Sequence, residues 1–244
     1  MIAIKSSEEL ATLIAALAAD IGRAHDYWRL RCKLLEAFAK HPLVQPQSNT
    51  FWSMTLTALD SGAILHLCRA FDQDKSSLHL HSWLRTIQSN LRLFSDTEFR
   101  QRKAGNPFVD ALAADPRLPD PHVLKKDIFE CSDHDPLVER LIIYRGSALA
   151  HRSAKLALAR AARAGQPALT FEDIPLLLKR ANVVLNRYSN LFAAEYYSQN
   201  TIGQDDYVFV IKSIDSEVKR LRSVRSRRVT NSRPLSSRSV RGRA

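Results

Sequence analysis

The chain has 244 residues, 45% of them hydrophobic, and a formal net charge of +11. That apolar fraction can bury enough surface to offset chain entropy, which excludes disorder throughout, and seven glycines are few for a fold of tight hairpins or phosphate-cradling loops. The charge is uneven: ten Lys or Arg residues and no acid follow Glu217, so residues 1–217 are almost neutral and the signal for an anionic partner lies in the tail.

In chain order, Ser6-Ser7-Glu8-Glu9 matches a capping box, in which a hydroxyl and a carboxylate satisfy the orphan amides of a helix start. Leu10, Leu13, Ile14, Leu17, Ile21, Trp28, Leu34, Leu35 and Phe38 follow at helical spacing, and His41-Pro42 ends the run. A second helix is predicted from about Asn49 to Phe71; it is apolar on most sides and so expected to lie centrally. Ser76 or Ser77 is the expected cap of a third helix containing Leu78, Leu80, Trp83, Leu84 and Ile87.

Between about residues 95 and 133 the pattern is broken by Gly105-Asn106-Pro107, Asp115-Pro116 and Pro119-Asp120-Pro121. This predicts an irregular surface insertion of short helices. Asp135-Pro136 then sets an N-cap before a proline, and the helix it starts is expected to run to about Gly165. Thr170 with Asp173 begins the next helix, predicted to reach about Ser198, and a last one starts near Asp205 and carries Tyr207, Ile211, Ile214 and Val218. Nothing core-forming follows. The domain reading is therefore a helical body over 1–222 and a basic tail over 223–244, expected to be disordered from about residue 224.

No convincing strand pattern interrupts this series, so the fold class is all-α, an antiparallel helical bundle. Cys32, Cys68 and Cys131 are odd in number and far apart, which fits neither a disulfide framework nor a zinc site and suits a reducing cytoplasm. Glu8, Glu9 and Asp20 interrupt the first apolar run before it reaches signal-peptide or membrane-spanning character, so no membrane partner is expected.

One stretch has a specific chemical look: Leu141-Ile142-Ile143-Tyr144-Arg145-Gly146-Ser147-Ala148-Leu149-Ala150-His151-Arg152. An arginine and a histidine at this spacing in a helical protein resemble the Rx4–6H motif of HEPN domains. Phe51-Trp52, Leu65-His66-Leu67-Cys68-Arg69 and Phe71-Asp72, with Tyr188, Phe192 and Asp205-Asp206-Tyr207 downstream, resemble the abortive-infection, AbiU2-like branch of that superfamily. The resemblance covers roughly residues 5–215.

It implies a metal-independent endoribonuclease of phage-defence or toxin type, working as a homodimer without a cofactor. An antitoxin or nucleotidyltransferase would be its partner protein and RNA its substrate. RNA carries its own nucleophile in the 2′-OH, so such an enzyme needs a group that moves protons near neutral pH and a cation for the developing phosphorane charge. By this resemblance the catalytic pair is His151 for the proton and Arg145 for the phosphate, with Tyr144, Ser147 and Arg152 as flanking RNA-binding residues. Where family members commonly carry a polar residue after the motif arginine, this chain has Gly146. That leaves a second reading open, a catalytically silent HEPN domain serving as an RNA-binding or protein-interaction module.

The residues also admit plainer roles. Arg145 can pair with Glu139 or Asp135, and Arg69 with Asp72 three residues on. On a regular helix six steps of about 100° set Arg145 and His151 roughly 120° apart, so a local distortion, a long reach or a facing subunit must bring them together. Cys131-Ser132-Asp133-His134-Asp135 is too crowded for a tetrahedral metal site and suits a helix cap, so no metal is expected.

Overall fold

The computed structural model describes residues 1–146, 169–199, 203 and 205–231. The helices in chain order are α1 (Ser7–Lys40), α2 (Asn49–Ala70), α3 (Leu80–Ser89), α4 (Asp96–Arg102), α5 (Val109–Ala113), α6 (Pro121–Glu130), α7 (Pro136–Tyr144), α8 (Asp173–Ala193) and α9 (Tyr207–Asn231), with 3-10 turns at Gln45–Ser48 and Leu91–Phe94. Among the described residues there is no strand, and the fold is all-α. None of these helices is long and apolar enough to cross a membrane. The chain divides into one unit of Met1–Arg29 with Thr57–Thr201 and a second of Leu30–Leu56 with Ile202–Ala244.

The first unit is built on apolar stripes at helical spacing. Leu10, Ile14, Leu17 and Ile21 of α1 share a core with Leu67 and Phe71 of α2, and with Trp83, Leu84 and Ile87 of α3. Leu137, Val138 and Leu141 of α7 join it, as do Leu177, Leu185, Tyr188 and Phe192 of α8. Trp83 meets Tyr188 edge-on at 5.9 Å, and Phe94 meets Phe192 at 5.5 Å. Each such side chain contributes about 1.5–3 kcal/mol by leaving water, so these rings anchor the unit. The contact of α1 with α2 is close at Gly62. A β-carbon there would meet the Tyr27 ring at 2.9 Å, and that ring stacks on His66.

Helix starts follow local chemistry. At α1 the Ser6 hydroxyl accepts from Glu9 N, and the Glu9 carboxylate accepts from Lys5 N rather than from Ser6 itself. α3 is capped by neither Ser76 nor Ser77 but by His79. Its Nδ1 accepts from Ser82 N while the Ser82 hydroxyl accepts from His79 N. An imidazole nitrogen substitutes for the usual capping oxygen, and sequence preferences for caps do not anticipate that. Ahead of α8, Asp173 accepts from Thr170 N, and the helix stops at Ala193, before Ala194 takes a left-handed φ of 53°.

Residues 95–133 form short helices with many exposed residues, and a few of their side chains reach the interior. Phe99 and Cys131 are fully buried and Leu124 nearly so. Arg117 lies over the Phe99 ring at 4.3 Å and donates to the Asn190 carbonyl. Buried Asp127 of α6 accepts from Tyr188 Oη at 2.8 Å and pairs with Arg187, tying α6 to α8. Proline and glycine cut the segment into pieces too short to show a helical stripe, yet α4 places Phe99 in the interior and α6 places Leu124 and Asp127 there, while α5 buries none of its residues.

In the second unit Leu34, Ala37 and Phe38 of α1, Val44, Trp52 of α2 and Ile211 of α9 are buried, with Phe38 edge-on to Trp52 at 5.1 Å. Buried Asp215 of α9 receives His41 Nδ1 at 3.0 Å and Lys219 Nζ at 2.7 Å. The hydrogen bonds from Lys219 and His41 hold its carboxyl below the usual range, Lys219 more strongly. α9 continues to Asn231, so helix extends into residues read from sequence as tail; 232–244 lie outside the described residues.

Candidate functional site

α7 is pinned before it reaches the motif arginine. Asp135 caps it by accepting from Leu137 N at 2.9 Å and Val138 N at 3.2 Å, with Pro136 in the first turn. The same carboxylate takes Arg180 Nη1 from α8 at 2.7 Å. Near mid-helix Arg140 grips Asp173 with two hydrogen bonds, Nε to Oδ2 at 3.1 Å and Nη2 to Oδ1 at 2.7 Å. That grip lowers the Asp173 pKa, with the Arg140 hydrogen bond as the main cause. Two charged contacts and a buried face of Leu137, Val138 and Leu141 therefore fix where α7 ends.

Arg145 stands at that end. Its Nη1 donates to Asp72 Oδ1 at 2.5 Å, across 73 residues of sequence, and its side chain stays 43% exposed. Asp72 sits in the turn leaving α2, directly after buried Phe71, and its Oδ1 also accepts from Gln73 N at 2.8 Å and Asp74 N at 3.3 Å. The carboxylate is thus fixed by backbone before it meets the guanidinium. One edge of Arg145 is held in place, and the other N–H donors of the fork have no partner among the described residues.

Neither Glu139 nor Asp135 pairs with Arg145, since Asp135 is occupied by its cap and by Arg180. Arg69 and Asp72 do not pair with each other either. Asp72 turns to Arg145, while Arg69 Nη1 lies 3.3 Å from Asp20 of α1, whose Oδ1 also meets His66 Nδ1 at 2.9 Å. Leaving the helix at Phe71 turns Asp72 off the face that carries His66 and Arg69. The sequence marked Arg69 and Asp72 as a pair, but periodicity carries no signal that the partners lie on α1 and α7.

Arg145 and Gly146 are wound with the wide spacing of a π turn, so the regular 100° step does not hold there. A β-carbon built on Gly146 meets nothing within 4 Å, so crowding does not require glycine at this position. Tyr144 is half-buried and packs against the core, which leaves its ring only partly available to stack on a base. Ser147, His151 and Arg152 lie outside the described residues.

Other reactive groups near the site are quiet. Burial pushes the Cys68 thiol up to about 12, so it is not a nucleophile near neutral pH. His79 is committed at both nitrogens, Nδ1 in the cap and Nε2 toward the Asp74 carbonyl at 3.1 Å. Burial also lowers its pKa below the ordinary 6.5. Cys131 is fully buried and Asp135 is engaged as described; among the described residues no three His, Cys, Asp or Glu side chains gather to hold a metal ion.

A family model described as AbiU2, of the HEPN type, matches residues 7–223. No curated protein and no solved structure gives a significant match. The matched span takes in α1, the Asp72 turn, Arg145 and most of α9, so the pinned arginine lies inside the shared region. The chain belongs to the AbiU2 family of HEPN domains.

Proposed function

We propose that the protein is a metal-independent endoribonuclease of abortive-infection or toxin type, with Arg145 and His151 as its catalytic pair. The observation that supports this reading most is the half-exposed Arg145 guanidinium, held on one edge by the backbone-anchored Asp72 carboxylate. In the proposed reaction the 2′-oxygen attacks the adjacent phosphorus and the bond to the 5′-oxygen breaks. The proton leaves the 2′-OH and a proton reaches the departing 5′-oxygen, His151 serving as the exchanging group. Arg145 holds the non-bridging oxygens through the charge build-up. The products are a 2′,3′-cyclic phosphate and a 5′-hydroxyl, and no cofactor enters the scheme.

Tyr144, Ser147 and Arg152 are proposed to contact the RNA around the scissile bond. The protein is further proposed to act in the cytoplasm as a homodimer whose two motifs face one another, with an antitoxin or nucleotidyltransferase as the controlling partner. The deciding experiment incubates full-length protein with a generic RNA in EDTA and analyses the ends. Cyclic-phosphate ends formed by the parent chain and lost in both Arg145→Ala and His151→Ala support the mechanism; equal cleavage by the His151→Ala variant sinks it.

A second reading has an observation of its own. Gly146 stands where family members commonly carry a polar side chain, and the Asp72 carboxylate neutralises Arg145. A silent HEPN domain that binds RNA or protein without cutting would show binding in the same assay and no new ends.

A further inference from the structure

In α9 the acids stop where the run of arginines begins. Its first turns form an ordinary packed helix, with Ile211 and Asp215 buried and Ile214 and Val218 half-buried. From Lys219 to Ser226 every residue is exposed. Two of the cations there have an acid one turn back. Lys219 reaches Asp215, and Arg220 takes both oxygens of Glu217 at 2.8 Å and 2.7 Å. Arg222 and Arg225 have no such partner among the described residues, and Arg227 and Arg228 follow them in the same helix. Like charges three residues apart on a helix are neighbours and repel. An extended polyanion along this end would remove the repulsion that no acid among the described residues relieves.

The chemistry of the surface narrows which polyanion fits. An anionic membrane takes a basic helix that also offers a broad apolar face. Between Lys219 and Ser226 only Leu221 and Val224 are apolar, and no aromatic is present. The basic residues beyond Glu217 are all arginine except Lys219. Arginine matches a pair of phosphate oxygens with two parallel donors, and its flat face stacks on bases, which a lysine point charge cannot do. We propose that the exposed end of α9, centred on Arg222 and Arg225, is a single-stranded RNA-binding element that captures RNA through its phosphates without reading sequence. The choice of RNA rests on the ribonuclease reading, and the element adds to it capture by residues other than the reacting groups.

The test uses full-length protein carrying His151→Ala, so that substrate is not consumed. Fluorescence anisotropy follows a labelled RNA of about 20 nucleotides, with salt varied from about 50 to 200 mM. Replacing both arginines by glutamine keeps helix propensity and removes two charges. The double variant should bind on the order of tenfold more weakly, and its slope of log affinity against log salt should be shallower by about 1.4, near 0.7 per lost phosphate contact. The Arg222→Lys, Arg225→Lys pair should keep the slope. Unchanged affinity and slope in the glutamine variant overturn the proposal, as does binding to polyglutamate or anionic vesicles that equals or exceeds binding to RNA. Parent protein that binds RNA through α9 but never cuts it defeats the ribonuclease reading alone. Cleaving protein whose RNA binding ignores both substitutions defeats the α9 proposal alone.

Discussion

Arginine is used in opposite ways at two places in this molecule. At the end of α7, Arg145 is locked to a carboxylate that is itself fixed by two backbone amides. At the end of α9, Arg222 and Arg225 are exposed and have no acid beside them among the described residues. A paired guanidinium has a defined position and little net field, whereas an unpaired one on a solvated helix keeps its field and has no defined position. Phosphoryl chemistry needs position, because an in-line attack tolerates little misplacement of the stabilising cation. Capture of a polyanion needs field. On the proposed reading, the contrast divides recognition of RNA between two parts of the chain.

The largest expected effect tests the positional half. Arg145→Ala and His151→Ala should each lower the cleavage rate by about 10²–10⁴-fold while RNA affinity changes little, as read by product ends and anisotropy together. An Arg145→Ala variant whose rate falls only in proportion to its affinity would make Arg145 another capture residue and erase the contrast. Next comes Asp72→Asn, which keeps an oxygen for the Gln73 and Asp74 amides but removes the charge facing Arg145. Cleavage should fall about tenfold, from a less well-placed guanidinium. Stability should change by less than about 1 kcal/mol, because Arg145 is 43% exposed and solvent screens the pair. A faster enzyme would show instead that Asp72 restrains Arg145.

A third kind of site sharpens the comparison, since there burial disfavours charge. Burial lowers the pKa of His25, His79 and His81 below 6.5. The folded state therefore favours their neutral forms more than the unfolded state does. Their contribution to stability is complete above about pH 6.5 and is lost as pH falls through the depressed folded values. The thermal midpoint should be level between about pH 7 and 8 and fall below about pH 6.5. His79→Asn, which retains a capping acceptor, should remove part of that fall; an unchanged acid limb would place the sensitivity elsewhere. The smallest effect is expected from Gly146→Asn. The open space around this position should hold the stability change to about 0.5 kcal/mol, and the added polar group should raise cleavage. A slower enzyme would mean that the π turn uses glycine's backbone freedom.

Elements whose signals are local were legible in the sequence. Ser6 and Glu9 marked the start of α1, His41-Pro42 its end, and Asp135-Pro136 the start of α7, because caps and prolines act within four residues. The HEPN resemblance also stood on residues visible in the chain, and the family match covers them. What stayed hidden depends on distance. Asp72 with Arg145 and Asp20 with His66 are separated by 73 and 46 residues, and nothing in helical periodicity says which surface charges will meet. In the region 95–133 the core anchors carry no stripe, because α4 buries one side chain, Phe99, α6 buries two and α5 none. His79 escaped notice as a cap because histidine rarely fills that place.

The exposed end of α9 has a consequence for how the molecule behaves in bulk. Nearly all of the net charge lies beyond Glu217, so this helix and the residues after it act as the colloidal stabiliser of an otherwise near-isoelectric body. A protease that cuts after arginine would find its targets on an exposed surface there. A product cut after Arg220 or Arg222 would keep only +3 or +4 of the formal +11 and should self-associate at concentrations where the intact chain stays dispersed. Light scattering before and after limited trypsin digestion would read this directly, in the absence of any RNA.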